Sequence, residues 1–281
     1  MSDPREVLTR AAPPPRLAVA YGDLPEQLVD VWLPAGNSGK AGRAAPLVVV
    51  VHGGFWRAEY DRKHARPQCA GLAAAGYVVA AVEYRRVGAG GGWPATFDDV
   101  ATALDAVPAL MAEATAGGPI PVDAARVVHV GHSAGAHLAV WAASRHRLPA
   151  GSRWAAPTPA ARPAGVVSLA GVLDLHAAAG LDLDNGAARA LLGGGPADQP
   201  DRYAVADPMR LVPPGVPVVL LHGTADRQVP PEFSRRYAAA TGPSATVREL
   251  PGVEHFGLID PESSAWPAVL DAVAGLLRRA A

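Results

Sequence analysis

The chain has 281 residues, a formal net charge of −1 and a single cysteine, Cys69. That length suits one large α/β domain with a sizeable core and is too short for two enzyme domains. The balanced, scattered charge excludes the electrostatic footprint of a nucleic-acid or anionic-membrane binder, and one cysteine excludes an internal disulfide.

Residues 1–16 carry acids and four prolines but no apolar h-region. No stretch approaches the roughly 18 apolar residues of a membrane span. The expectation is a cytoplasmic protein, without a membrane partner, whose first 16 residues form a flexible lead-in. Residues 17–21 and 28–33 predict two antiparallel strands around a turn at Gly22-Asp23-Leu24-Pro25, and residues 37–45 a polar loop. The β-branched run 46–51 is continuous, as in a strand covered on both faces, and stops at His52-Gly53-Gly54-Phe55-Trp56.

Residues 62–75 predict a helix ended by Gly76, and residues 77–82 the next buried strand. Residues 96–114 predict an amphipathic helix with Asp98 and Asp99 in its first turn and Pro108 as an irregularity. Arg126-Val127-Val128-His129-Val130 then leads as a strand into Gly131-His132-Ser133-Ala134-Gly135, and the alanine-rich stretch behind it predicts a helix. A serine at such an elbow is held in a strained turn with its hydroxyl exposed, and flanking glycines spare the neighbouring elements a colliding Cβ. Ser133 is therefore the candidate nucleophile. The glycines of His52-Gly53-Gly54 let backbone N–H groups turn into a cleft, where they can bind a developing oxyanion together with the N–H of Ala134. His52 and Trp56 read as packing and loop-bracing residues.

Residues 146–163 form a proline-rich loop and residues 165–169 another buried strand, beyond which Asp174 reads as a loop-bracing or rim residue. Residues 181–214 are rich in Gly, Pro and Asp, with a short helix around 187–192, and are long enough for a small lid. Residues 216–221 are an apolar strand ending in His222-Gly223-Thr224-Ala225-Asp226, residues 231–241 a helix, residues 245–250 the last strand and residues 264–279 the closing helix. Asp226 and His255 thus each follow a strand, as Ser133 does, in the chain order Ser, Asp, His. Asp174 is the rival for the acid. The alternation of strand and helix implies an α/β domain, a mostly parallel central sheet with helices on both faces.

His52-Gly53-Gly54-Phe55-Trp56, Gly131-His132-Ser133-Ala134-Gly135-Ala136-His137-Leu138, His222-Gly223-Thr224-Ala225-Asp226 and Glu254-His255-Phe256 resemble the esterase and kynurenine formamidase (arylformamidase) branch of the α/β-hydrolase superfamily, over residues ~46–281. The first motif is similar to the His-Gly-Gly-x-Trp of formamidase-like members rather than the His-Gly-Gly-Gly of hormone-sensitive-lipase-like esterases. The resemblance implies a Ser133-His255-Asp226 triad and an oxyanion hole of the Gly54, Phe55 and Ala134 amides. It implies no metal and no organic cofactor, and a small ester or formamide as substrate. Prolyl-oligopeptidase-like peptidases share the triad order, but their propeller does not fit in 281 residues. Non-catalytic receptors of this fold tend to lack a triad member, whereas all three candidates are present here. A homodimer is admitted by the sequence but not specified by it.

Overall fold

The computed structural model describes residues 3–34, 44–156 and 162–279. The polar loop expected at 37–45 falls outside these residues except for Ala44 and Ala45. Eight strands form one sheet: β1 (Leu17–Ala20), β2 (Leu28–Trp32), β3 (Ala45–Val51), β4 (Val78–Val82), β5 (Val122–His132), β6 (Gly165–Leu169), β7 (Val218–Gly223) and β8 (Ala245–Leu250). Their spatial order is β1-β2-β4-β3-β5-β6-β7-β8. β1–β2 and β2–β4 pair antiparallel, and every pair from β4–β3 to β7–β8 is parallel.

Side-chain alternation explains why the central strands are apolar at every position. In β3, Leu47, Val49 and Val51 point into one core, while Val48 and Val50 point into the other. The helices are α1 (Arg66–Ala74), α2 (Ala95–Ala114), α3 (Ala134–Ala143), α4 (Leu175–Gly180), α5 (Leu183–Leu192), α6 (Pro200–Ala206), α7 (Glu232–Thr241) and α8 (Trp266–Arg279). Helices α2, α3 and α7 pack into the first core and α1 and α8 into the second, so the sheet is covered on both faces. Among the described residues, no helix is long and apolar enough to cross a membrane.

Two expectations need correction. The lead-in expected to be flexible is anchored from Asp3 onward. Pro4–Leu8 form a 3-10 turn that buries Val7 in the second core, Arg10 pairs with Asp260, and Trp32 Nε1 donates to Pro13 O at 2.8 Å. A buried apolar side chain, a bidentate arginine and an indole hydrogen bond hold a short segment that composition alone marks as loose. The insertion, expected to hold one helix at 187–192, contains α5 and α6, and α4 leads into it. Asp174 begins α4 as an N-cap, its Oδ1 accepting from Ala177 N at 2.8 Å. Asp184, Asn185 and Gly186 at the start of α5 all have positive φ, which disguises that helix in sequence. The helix expected at 62–75 begins as a 3-10 turn at Arg62–Ala65, and Pro108 sits inside an uninterrupted α2.

Burial pushes His64 down to about 3 and His129 and His137 down to about 4. The folded state thus refuses protons that the unfolded chain takes up near 6.5. Each contributes stability that is complete above that value and is lost as pH falls toward 4, at about 1.4 kcal/mol per pH unit per histidine. His129→Leu is expected to flatten the slope of unfolding free energy between pH 6 and 4 by about that amount. Urea titrations at several pH values check this, and an unchanged slope would show that His129 is not buried neutral.

Candidate active site

Ser133 follows β5 with φ 54° and ψ −117°, a conformation that costs a non-glycine residue about 1–3 kcal/mol. The surroundings leave it no alternative. Its N–H donates to Leu169 O at 2.8 Å, and its carbonyl accepts from Ala136 N, His137 N and Val172 N at 3.1, 3.2 and 3.3 Å. A Cβ on Gly131 would lie 2.5 Å from Ala136 Cα, and one on Gly135 only 2.0 Å from Val51 O at the end of β3. The turn can be this tight only with glycine at both positions.

Asp226 and His255 come from loops behind β7 and β8, and backbone contacts join those loops. Ala225 N donates to Val253 O at 3.0 Å and Gly252 N to Thr224 Oγ1 at 2.9 Å. His255 Nδ1 donates to Asp226 Oδ2 at 2.6 Å, while Asp226 Oδ1 accepts Gln228 N and Val229 N at 2.8 and 2.9 Å. Burial alone would raise the Asp226 carboxyl, but bonds from His222 and His255 outweigh it and hold it well below the usual carboxylate range. The imidazole is thereby fixed with its proton on Nδ1, and Nε2 keeps the lone pair. Asp174, the rival acid, caps α4 and pairs with Arg236 at 2.8 Å, so it is committed elsewhere.

His132, next to Ser133 in the elbow, packs against His255. The His132 ring lies 4.5 Å from that of His255, and its Nε2 is 3.2 Å from His255 O. Burial, with the His255 ring adding to it, keeps His132 neutral. Among the described residues the Ser133 hydroxyl forms no hydrogen bond, so the Ser133–His255 contact is not closed. In unliganded sites such bonds are often long and tighten on substrate.

The loop after β3 lies directly on the elbow: a Cβ on Gly53 would sit 2.9 Å from His132 O and 3.2 Å from Ser133 Cβ. Gly54, Phe55 and Trp56 follow with φ of 104°, 48° and 59°. Among the described residues, the N–H groups of Gly54, Phe55 and Ala134 have no protein acceptor. Ala134 begins α3, whose positive end faces the same place. Underneath, His52 Nε2 bonds Glu83 at 3.1 Å and its ring stacks on Tyr84 at 4.4 Å. Burial would raise the Glu83 carboxyl, but His52, Arg62 and Arg86 bring it down to about 2. Trp56 is buried, and its indole N–H donates to His137 Nδ1 at 3.2 Å.

Ser133, Asp226, His255 and the Gly54, Phe55 and Ala134 amides therefore lie at the carboxyl ends of β3, β5, β7 and β8, and the rival Asp174 follows β6. Sequence reasoning assigned no role to His132 or His137. Both belong to the motif around Ser133, and the offset of four between Ser133 and His137, one helical turn, was the available signal. Among the described residues, no group of three or more His, Cys, Asp or Glu is placed to hold a metal ion.

Sheet order, covering helices and elbow define an α/β-hydrolase fold. The chain belongs to the BD-FAE family, whose profile matches residues 29–240. It is 30% identical over 256 residues to Esterase LipQ of Mycobacterium tuberculosis, covering 85% of this chain and 58% of that protein. The chain thus spans little more than half the length of this relative. Among solved structures it is similar to a truncated carbohydrate esterase from gut microbiota (TM-score 0.74, 22% identity, 95% of this chain and all of that one). It is also similar to Esterase B from Lactobacillus rhamnosis (TM-score 0.77, 18% identity, 98% and 91%). At these identities the structures establish the fold alone.

Gly135→Ala is expected to cost at least about 2 kcal/mol, because the added carbon meets a backbone carbonyl at the end of β3. Chemical denaturation checks this. A variant as stable as the parent would mean that α3 can move away from β3 freely.

Proposed function

We propose that the protein is a serine hydrolase of small carboxylic esters. The observation that carries this reading is the 2.6 Å Asp226–His255 bond, brought by two stitched loops to the sheet edge where Ser133 is held in its strained turn. His255 Nε2 takes the Ser133 proton as Oγ bonds to the substrate carbonyl carbon, and the amides of Gly54, Phe55 and Ala134 receive the oxyanion. The imidazolium, held by Asp226, gives the proton to the departing alkoxide and leaves an acyl-serine. Water, deprotonated by His255, then releases the acid and restores the hydroxyl. Each oxyanion donor in such a site is worth roughly 10²–10³ in rate. Family membership and an esterase relative over 85% of this chain support the reading. It needs no metal or organic cofactor. The insertion, residues 181–214, is assigned as a lid over the substrate.

One observation favours a second substrate class. The His52-Gly53-Gly54-Phe55-Trp56 loop resembles the His-Gly-Gly-x-Trp motif of arylformamidases, which makes N-formylkynurenine the natural competitor of an ester. The test is kcat/KM on N-formylkynurenine beside short- and medium-chain p-nitrophenyl esters, with Ser133→Ala as the blank. We expect an ester preference and a loss of about 10⁶ in kcat for Ser133→Ala. A tenfold formamide preference, about 1.4 kcal/mol of transition-state binding, would move the assignment to a formamidase. A Ser133→Ala enzyme that keeps more than a few per cent of turnover would remove the serine mechanism.

A further inference from the structure

Residues 54–56 pose a mechanical problem. Three consecutive residues with positive φ, two of them bulky aromatics, form a loop that relaxes unless something outside it holds it. Two backbone bonds help, Arg57 N to Gly54 O at 3.0 Å and Val87 N to Trp56 O at 2.8 Å, but both run toward residues 57 and 87, away from the serine. On the serine side Gly53 packs on the elbow, and beyond it the loop is tied by the Trp56 side chain. It is 1% exposed and reaches His137 on the first turns of α3.

The chemistry of that contact is unambiguous. An indole N–H can only donate, so His137 Nδ1 must present its lone pair, and Ala206 O can only accept, so His137 Nε2, 2.9 Å away, must carry the proton. One neutral tautomer satisfies both bonds. The ring is fully buried, edge-on to Trp56 at 5.2 Å and to Phe97 at 6.0 Å. The backbone N–H of the same residue donates to Ser133 O at 3.2 Å. His137 therefore touches the turn of Ser133, the glycine loop and, through Ala206, the inserted segment.

We propose that His137 is a positioning residue: by accepting the Trp56 indole proton it sets the distance of the Gly54 and Phe55 amides from Ser133 and Ala134. This rests on the serine-hydrolase reading for its effect on rate, but not for the hydrogen bonds themselves. His137 does not touch the substrate. The expected signature is therefore a loss in kcat with little change in KM, because the amides matter most when charge develops on the carbonyl oxygen.

Three variants separate the two bonds. His137→Asn keeps an acceptor near the position of Nδ1 and gives up the reach to Ala206. His137→Gln keeps a donor near the position of Nε2 and gives up the acceptor for Trp56. Trp56→Phe removes only the donor. With active sites counted by fluorophosphonate titration, we expect His137→Gln and Trp56→Phe to lose about tenfold to a hundredfold in kcat per labelled site, with KM within about twofold. His137→Asn is expected to stay within about threefold of the parent. Full kcat in Trp56→Phe, or equal losses in the Asn and Gln variants, would overturn the proposal. The wild-type imidazole ¹⁵N spectrum gives a readout without turnover: Nε2–H with unprotonated Nδ1 at pH 6 is expected, and an Nδ1–H ring would overturn the assignment even if every variant misfolded. An enzyme that takes no label and hydrolyses no ester would contradict the serine-hydrolase reading instead, leaving the spectrum to decide on His137.

Discussion

The constraint on which the rest of the structure depends is the approach of α3 to the end of β3, where Gly135 has room for no side-chain carbon between itself and the Val51 carbonyl. A parallel sheet with helices on both faces brings the carboxyl ends of neighbouring strands together, and the site forms where one helix is pulled hardest onto them. The strain at Ser133 follows from this packing. The chain must leave β5 and enter α3 within one residue, and Leu169, Val172 and the first turn of α3 absorb its backbone bonds. The same closeness sets the loop after β3 on the serine, since Gly53 packs on His132 and Ser133. Gly53 thus fits the loop to the elbow through close backbone packing, and the Trp56–His137 bond holds the residues beyond it.

The histidines divide their work by partner. His255 faces an anionic carboxylate that the protein keeps ionised despite burial, the setting that the proposed cycle needs for a passing imidazolium. His132 and His137 are buried without a carboxylate and stay neutral. Desolvation decides their state and the hydrogen-bond partners of His137 decide its tautomer. A positive charge on His132 would repel the imidazolium that the proposed cycle forms on His255, 4.5 Å away. The cost of this arrangement is sensitivity to acid, because the unfolded chain gains protons that the folded one excludes.

How much was legible depends on whether a signal is local. The run of β3, the alternation of strand and helix and the glycines of the elbow each express their reason within a few residues, and they appear where the periodicity puts them, within a residue or two at most ends. Residues 122–125 of β5 are hidden because Asp123 and two partly exposed alanines, poor strand formers, do not look like a buried strand. Asp174 and Asp226 look alike in sequence, since each follows an apolar strand. The loop stitching that turns Asp226 toward His255 and the capping that commits Asp174 to α4 are visible only in three dimensions. The insertion hid its helices behind three left-handed residues, and the lead-in hid one buried valine among prolines. The Trp56–His137 bond joins positions 81 apart, so neither residue alone shows its role.

The most direct measurement is mass-spectrometric mapping of the protein after reaction with a fluorophosphonate, with Asp226→Asn alongside. The proposed chemistry requires one adduct per chain, on the peptide containing Ser133, and labelling of Asp226→Asn slowed by roughly 10⁴ because the wrong imidazole tautomer faces the serine. An adduct elsewhere, or ester turnover by a protein that takes no label at Ser133, would contradict it.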